Sequence, residues 1–338
     1  MIFVLKKKIQ KKLKEFRLNY SYVRFYADDK PVIYLDLKHQ TKVRTYLNLF
    51  FRIRAVYDNP IVVKFSVLRM MFLAKWFKDL DYIYFEKPFS RLNKAKIFSH
   101  NKKADFKVNY NYRKVYSTNE YQENALPYIM HPANYLLPQP EILPKNIGII
   151  LSGNFEEKIY NTRVIPDNFG LLNRWEIYTE ILKHKKGLSI SGTELVQDLY
   201  SGCFKDKFIV MKWQSGAIPT EKWRHYLSSA DFIFCAPGMT MPMCHNVLEA
   251  MSVGVIPILN YQNWLNPSLE DGINCLVFRD EKDIESVIDK ALAFSDLQKN
   301  EMAKNVIEYY KIYYKSFVFC ENESKDLIVL NENINDIK

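Results

Sequence analysis

The sequence predicts an α/β protein of two domains, the second built on a doubly wound parallel sheet. Three observations carry this. From Asn146 onward, short apolar stretches alternate with longer helical ones, the pattern that strands joined by crossover helices produce. All ten glycines lie at or after Gly148, so the first 147 residues hold none. Charge divides at the same place: residues 1–145 carry +16 and residues 146–338 carry −6, within a net +10 for the 338-residue chain. The two regimes meet at P-Q-P-E-I-L-P over 138–144, which reads as a linker. The length is ample for two cores.

Taken in order, Leu5, Ile9, Leu13 and Phe16 share one helical face, and Lys6, Lys7, Lys8, Lys11, Lys12 and Lys14 surround it. A basic amphipathic helix over 5–18 either docks on its own domain or lies in the headgroup region of an anionic membrane. The first domain, 1–145, alternates strand-like stretches at 31–37, 61–65, 82–85 and 96–99 with helical ones. The Met and aromatic residues of 67–78 belong to its core. In the second domain, 146–317, strands are expected at 147–151, 188–191, 208–211, 230–236, 255–259 and 274–278. Helices are expected at 171–184, 194–200, 220–229, 282–294 and from 296 to about 313. The tail, 318–338, is acidic, and its apolar run 327–330 is expected to pack on the first domain.

Several classes are disfavoured. Cys203, Cys235, Cys244, Cys275 and Cys320 are scattered, with neither a CxxC pair nor zinc spacing, which points to reduced thiols and a cytoplasmic address. No apolar run approaches the roughly 20 residues of a membrane span, and the lysines follow the first apolar residues, the reverse of a signal peptide. The second domain lacks the G-x-G-x-x-G of dinucleotide dehydrogenases.

Residues 237–257 read P-G-M-T-M-P-M-C-H-N-V-L-E-A-M-S-V-G-V-I-P, framed by apolar strands. A strand, a Gly/Pro turn, a helix with one acid, a glycine stop and a second strand form a βαβ unit able to bind a nucleotide at its strands' carboxyl ends. This segment resembles the donor-binding motif of GT-B glycosyltransferases, E-A-(small)-x-x-G-x-(I/V/T)-P. The resemblance covers roughly 146–295. It implies two Rossmann-like domains facing a cleft, with the second holding a nucleotide sugar. The wider family carries a second acid eight residues before the Glu, where this chain has Met241. The form C-x-P-G followed by E-A-M-x-x-G-x-I-P is more similar to exostosin-like members, which are inverting, than to the common retaining branch of group 1 enzymes.

On that resemblance Glu249 is placed to accept hydrogen bonds from a vicinal diol of the donor; otherwise it is a helix-start acid answering the macrodipole. His245 and Asn246 border the expected phosphate position; alternatively they are a surface imidazole and a cap. Gly238, in the Gly/Pro turn, is expected to help bind the donor. Ser152, Gly153 and Asn154 end the domain's first strand, where a glycine lets backbone amides approach phosphate. Lys212, Arg174 and Arg163 are the cations able to meet charge developing on a diphosphate leaving group. An inverting transfer needs a base on the acceptor hydroxyl. His131, near the linker, ranks first, ahead of Asp28, Asp29, Glu86 and His100. Asp79-Leu80-Asp81 matches the D-x-D metal motif of another glycosyltransferase fold, but that pattern is common. The resemblance implies that side chains and helix dipoles carry the leaving-group charge, so no cofactor and no required metal are expected.

The function expected is transfer of a sugar from a nucleotide-sugar donor to a glycan or glycolipid acceptor. Bacterial lipopolysaccharide, capsule and lipid-linked oligosaccharide intermediates fit the basic first domain, as does a peripheral position on the inner face of the cytoplasmic membrane. Two alternatives stand: a retaining enzyme of the same fold, and a nucleic-acid-binding protein with a nucleotide-sensing domain. No recognised nucleic-acid motif appears, so nucleic acid is not expected as a partner.

Overall fold

A computed structural model describes residues 10, 14, 17–37, 43–88, 91–101, 103–109, 125–135, 137–212, 218–316 and 326–329. They fall into two compact units. The first holds the described residues up to 109 together with 125–126 and 326–329, and the second holds 127–316.

In the first unit the β-branched and aromatic runs of the basic half become short parallel strands: β1 (Val32–Asp36), β2 (Ile61–Val63), β3 (Ile83–Phe85), β4 (Lys94–Ser99), β5 (Phe106–Asn109) and β6 (Ala125–Leu126). Helices Val43–Arg54 and Val67–Phe77 are the crossovers that parallel pairing demands. The two helices meet through the Phe50 and Phe77 rings, 4.9 Å apart, and Tyr46 packs on Phe65, between β2 and the second helix, at 4.8 Å, centroid to centroid. Met70, Leu73 and Ala74 are buried as core side chains.

The second unit has a six-stranded sheet: β7 (Ile147–Gly153), β8 (Gly187–Ile190), β9 (Phe208–Lys212), β10 (Ala230–Phe234), β11 (Ile256–Leu259) and β12 (Leu276–Val277). The order is β12-β11-β10-β7-β9-β8, all parallel, with β7 central and buried along Ile147–Leu151. Gly148 permits that burial, since a Cβ there would lie 2.8 Å from Lys207 O and 2.9 Å from Leu292 Cδ2. Helices Arg174–Ile181, Gly192–Asp198, Thr220–Leu227, His245–Met251, Glu281–Ala293 and Asp296–Tyr310 link or cover the strands. The last is tied to the sheet by Lys299 Nζ donating to Asp231 at 2.9 Å. The chain's final described strand, β13 (Asp326–Val329), belongs to the first sheet. That sheet has the order β3-β2-β1-β4-β5-β13-β6.

The α/β class and the two parallel sheets are those expected, and most expected elements appear within one to three residues of their places. The differences have physical causes. The first strand of the second unit continues through Ser152 and Gly153, because β9 offers ladder partners as far as Lys212. Helices Glu157–Tyr160 and Val164–Phe169 are too short to show a helical period, and the second is stopped by left-handed Gly170. Strands β5 and β6, of four and two residues, fall below any periodic signal. The expected linker at 138–144 is docked on the second unit. Arg224 Nη2 donates to the carbonyls of Leu137 and Pro138 at 3.1 and 2.8 Å, and Gln139 Nε2 donates to Ser252 O at 2.7 Å. Of the expected basic helix 5–18, residues 5–9, 11–13, 15 and 16 lie outside the described residues; 17–20 are helical. Among the described residues no helix is long and apolar enough to cross a membrane.

Candidate functional site

The chemistry-bearing residues of the second unit gather at the carboxyl ends of β7, β9 and β10. The β7–β9 ladder pairs Gly153 with Lys212, so both strands end side by side. Beyond β10 the chain makes a tight loop and enters helix His245–Met251. Gly238 is required in that loop, because a Cβ would lie 2.9 Å from Met241 O; its N–H closes the turn on Pro242 O at 3.3 Å. The helix is stopped by Gly254 at φ 70°, in the left-handed region that favours glycine.

Three consecutive residues at the start of this helix reach three different places. Cys244 Sγ accepts from Arg174 Nη2 at 3.2 Å, and His245 Nδ1 donates to Glu249 Oε1 at 3.0 Å. Asn246 Nδ2 donates to the carbonyl of Ser152 at 3.3 Å, tying the helix to the end of β7.

Arg174 opens helix Arg174–Ile181, whose start is fixed by a reciprocal capping box between Asn173 and Glu176. Its guanidinium is buried. Nε donates to Pro237 O at 3.0 Å, and the Tyr160 ring covers Cζ at 4.4 Å. A Cβ on Gly153 would sit 3.7 Å from Nη1, so the guanidinium faces the strand end. Among the described residues no carboxylate pairs with it. Burying a cation without a counter-charge is costly, and an anionic ligand removes that cost. Lys212, the ladder partner of Gly153, is exposed, with Nζ 5.2 Å from the Tyr178 ring; that ring stacks on Phe155.

The sequence offers Glu249 as a contact for a donor diol or, failing that, as a helix-start acid. It is the fifth residue of its helix, and its side chain is 1% exposed. Residues 131–134 cover it: the His131 N–H and Asn134 Nδ2 both donate to Oε1, at 3.2 and 3.0 Å, beside the His245 contact. Burial pushes its pKa up, but the His245 ring, Asn134 and the His131 N–H outweigh it and hold the carboxyl below its ordinary value. Among the described residues Oε2 has no hydrogen-bond partner, and neither does the fully buried Tyr261 hydroxyl just after β11. A donor diol reaches Glu249 only if 131–134 shifts.

His131 thus belongs to the same unit as Glu249, and its ring lies edge-on to His245 with centroids 5.5 Å apart. Asn154 turns back locally, its Oδ1 accepting from Glu156 N at 3.0 Å. Arg163 is exposed and engaged with Asp167 at 2.9 Å, so it does not join Arg174 and Lys212. The remaining candidates lie in the first unit. Asp28 and Asp29 are exposed, Glu86 accepts from the Tyr34 hydroxyl at 2.9 Å, and His100 Nδ1 meets Val108 O at 2.7 Å. Asp79 and Asp81 are exposed, with Asp79 paired to Lys78. Among the described residues no three His, Cys, Asp or Glu side chains group as metal ligands. Asn134, Tyr160, Cys244 and Tyr261 were missed in the sequence. Only Cys244, beside the motif's His and Asn, carried a local signal.

No protein-family model matches the chain, and no curated protein matches its sequence. Solved structures similar to it include Anabaena HepE in complex with UDP and glucose, at 12% identity and TM-score 0.45, over 86% of this chain and 96% of that one. The C-terminal domain of a glycosyl transferase group 1 family protein, LpcC, from Francisella tularensis is similar at 16% identity and TM-score 0.30, over 51% and 88%. Sucrose-phosphate synthase from Thermosynechococcus elongatus is similar at 15% identity and TM-score 0.38, over 80% and 73%.

Proposed function

We propose that this chain is a glycosyltransferase that moves a sugar from a nucleotide-sugar donor to a hydroxyl of a glycan or glycolipid acceptor. The observation that carries the reading is the buried Arg174 guanidinium, without a carboxylate partner among the described residues, facing Gly153 at the end of β7, whose ladder partner on β9 is Lys212. Open parallel sheets bind ligands at that edge, and a diphosphate is the anion that two adjacent cations and a glycine-ended strand accommodate. As the glycosidic bond breaks, negative charge grows on the diphosphate, and Arg174 and Lys212 meet it there. We therefore assign a reaction that needs no metal ion. The absence of an acid at Met241 favours the inverting course.

The +16 charge of residues 1–145 supports an acidic acceptor, and the lysines of 6–14 support contact with an anionic membrane surface. Lipid-linked and cell-surface polysaccharide intermediates, handled at the cytoplasmic face of a bacterial membrane, meet both conditions. A thermal-shift screen against uridine, guanosine, cytidine and adenosine diphosphates and their sugars, in excess EDTA, tests the reading. A rise in melting temperature with one nucleoside diphosphate and its sugar supports it. No shift with any of them, with or without magnesium, refutes it.

A further inference from the structure

Glu249 and His245 form a buried carboxylate–imidazole pair whose chemistry the diphosphate site does not use. The carboxylate is 1% exposed, while the imidazole is the open end of the pair at 28%. Three N–H groups converge on Oε1, and one of them is His245 Nδ1. Residues four apart lie on one face of a helix, so the pair is built into His245–Met251 itself. A carboxylate that takes the Nδ1 proton fixes the tautomer and leaves Nε2 as the nitrogen able to accept a proton; it then stabilises the imidazolium that results. The ring plane is held from a second side by the edge of His131. Among the described residues, the charged and titratable groups around His245 include Glu249 on its own helix, His131 before helix Pro132–Tyr135, and Cys244, which bonds Arg174.

Its chain neighbours anchor the ring beside the position proposed for the diphosphate. Cys244 holds the Arg174 guanidinium, where the leaving diphosphate is proposed to sit, and Asn246 holds the end of β7. We propose that His245 is the catalytic base of the transfer and that Glu249 is its positioning residue rather than a ligand contact. The inference rests on the glycosyltransferase reading above. In the step, the acceptor hydroxyl gives its proton to His245 Nε2 as its oxygen bonds the anomeric carbon. The bond from that carbon to the diphosphate oxygen breaks, and its electron pair leaves with the diphosphate beside Arg174.

The test uses the full chain and the nucleotide sugar found by the screen, with release of nucleoside diphosphate as the readout, to water or to a soluble glycan. His245→Ala is expected to lower kcat roughly 100- to 10,000-fold and to abolish the fall of kcat at acid pH. Its affinity for the nucleoside diphosphate should stay within about threefold. Glu249→Gln is expected to lower kcat less and to move the acid limb to lower pH, because the imidazolium loses its counter-charge; a purely structural role would not move it. His131→Ala keeps the backbone N–H that Glu249 uses and should keep an acid limb. If His245→Ala binds nucleoside diphosphate and retains wild-type kcat and pH profile, or if His131→Ala alone removes the limb, the assignment is overturned. If wild-type protein binds no nucleoside diphosphate, the functional reading fails and this assignment falls with it.

Discussion

Replacing Glu249 with alanine is expected to cost far more stability than an acid near a helix start normally supplies. At such a position a carboxylate contributes about 0.3–1 kcal/mol through the macrodipole. Here three N–H donors, from His131, Asn134 and His245, converge on a carboxylate that is 1% exposed. Hydrogen bonds to a charged acceptor contribute about 1.5–3 kcal/mol each. Their simple sum overstates the loss, since alanine also removes the cost of burying the charge. Breaking one side of a buried charged network costs about 3–5 kcal/mol, and that is the range expected. Glu249→Gln, which keeps an acceptor oxygen, should fall between alanine and wild type. The assay is urea unfolding followed by tryptophan fluorescence, reading the midpoint at unchanged slope.

The same network sets a pH dependence. Because the folded carboxyl is held below its ordinary value, its stabilisation is complete above the unfolded value near 4.5 and is lost as pH falls through the folded one. The acid-side decline of wild type should therefore be steeper than that of Glu249→Gln. A loss below about 1 kcal/mol for Glu249→Ala, with no change in acid sensitivity, would show that Glu249 faces solvent. The burial argument would then be wrong.

Three further outcomes are expected. Arg174→Met should weaken nucleoside diphosphate binding about 10- to 150-fold, the equivalent of one charge-assisted hydrogen bond, while changing stability by less than about 2 kcal/mol. Calorimetric titration beside urea unfolding checks both, and unaltered affinity would remove Arg174 from the anion site. Gly254→Ala should cost about 2–4 kcal/mol, because its φ is 70° and the new Cβ would lie 2.8 Å from Ile307 Cδ1; urea unfolding measures it. Deleting residues 1–14 removes six lysines, each worth about 1 kcal/mol near an anionic surface. It should release the protein from acidic vesicles at low salt in a sedimentation assay, with nucleoside diphosphate affinity unchanged.

What could be read from the sequence follows from how each feature is encoded. The second sheet was legible because its strands are apolar runs separated by helices long enough to show a period, and because Gly254 and Pro257 punctuate them. The helix His245–Met251 was legible as a chemical segment for the same reason: the strand before it, the Gly/Pro turn and the glycine after it are all local. The places of Arg174 and Lys212 at a helix start and a strand end were legible, since each follows from local pattern. Arg163, chosen by the same logic, pairs instead with Asp167 four residues on, a contact that local spacing alone already permitted.

The cover over Glu249 was not legible, and the reason is its distance along the chain. Asn134 lies 115 residues from its partner and the His131 amide 118. No periodicity or spacing rule connects a segment ahead of β7 to a helix beyond β10. The proline-rich stretch at 138–144 looked like a boundary because prolines break regular structure. Yet a proline removes only a donor and leaves carbonyls free, and here the carbonyls of Leu137 and Pro138 are held by Arg224. Anchoring that stretch on the second unit is what brings 131–134 over the carboxylate. The consequence for chemistry is direct. An exposed Glu249 would be open to a ligand, whereas a covered one meets a ligand only if 131–134 shifts. Of the side chains that donate to it, His245 is the more open, at 28% exposed, and it is the one through which we propose that Glu249 acts.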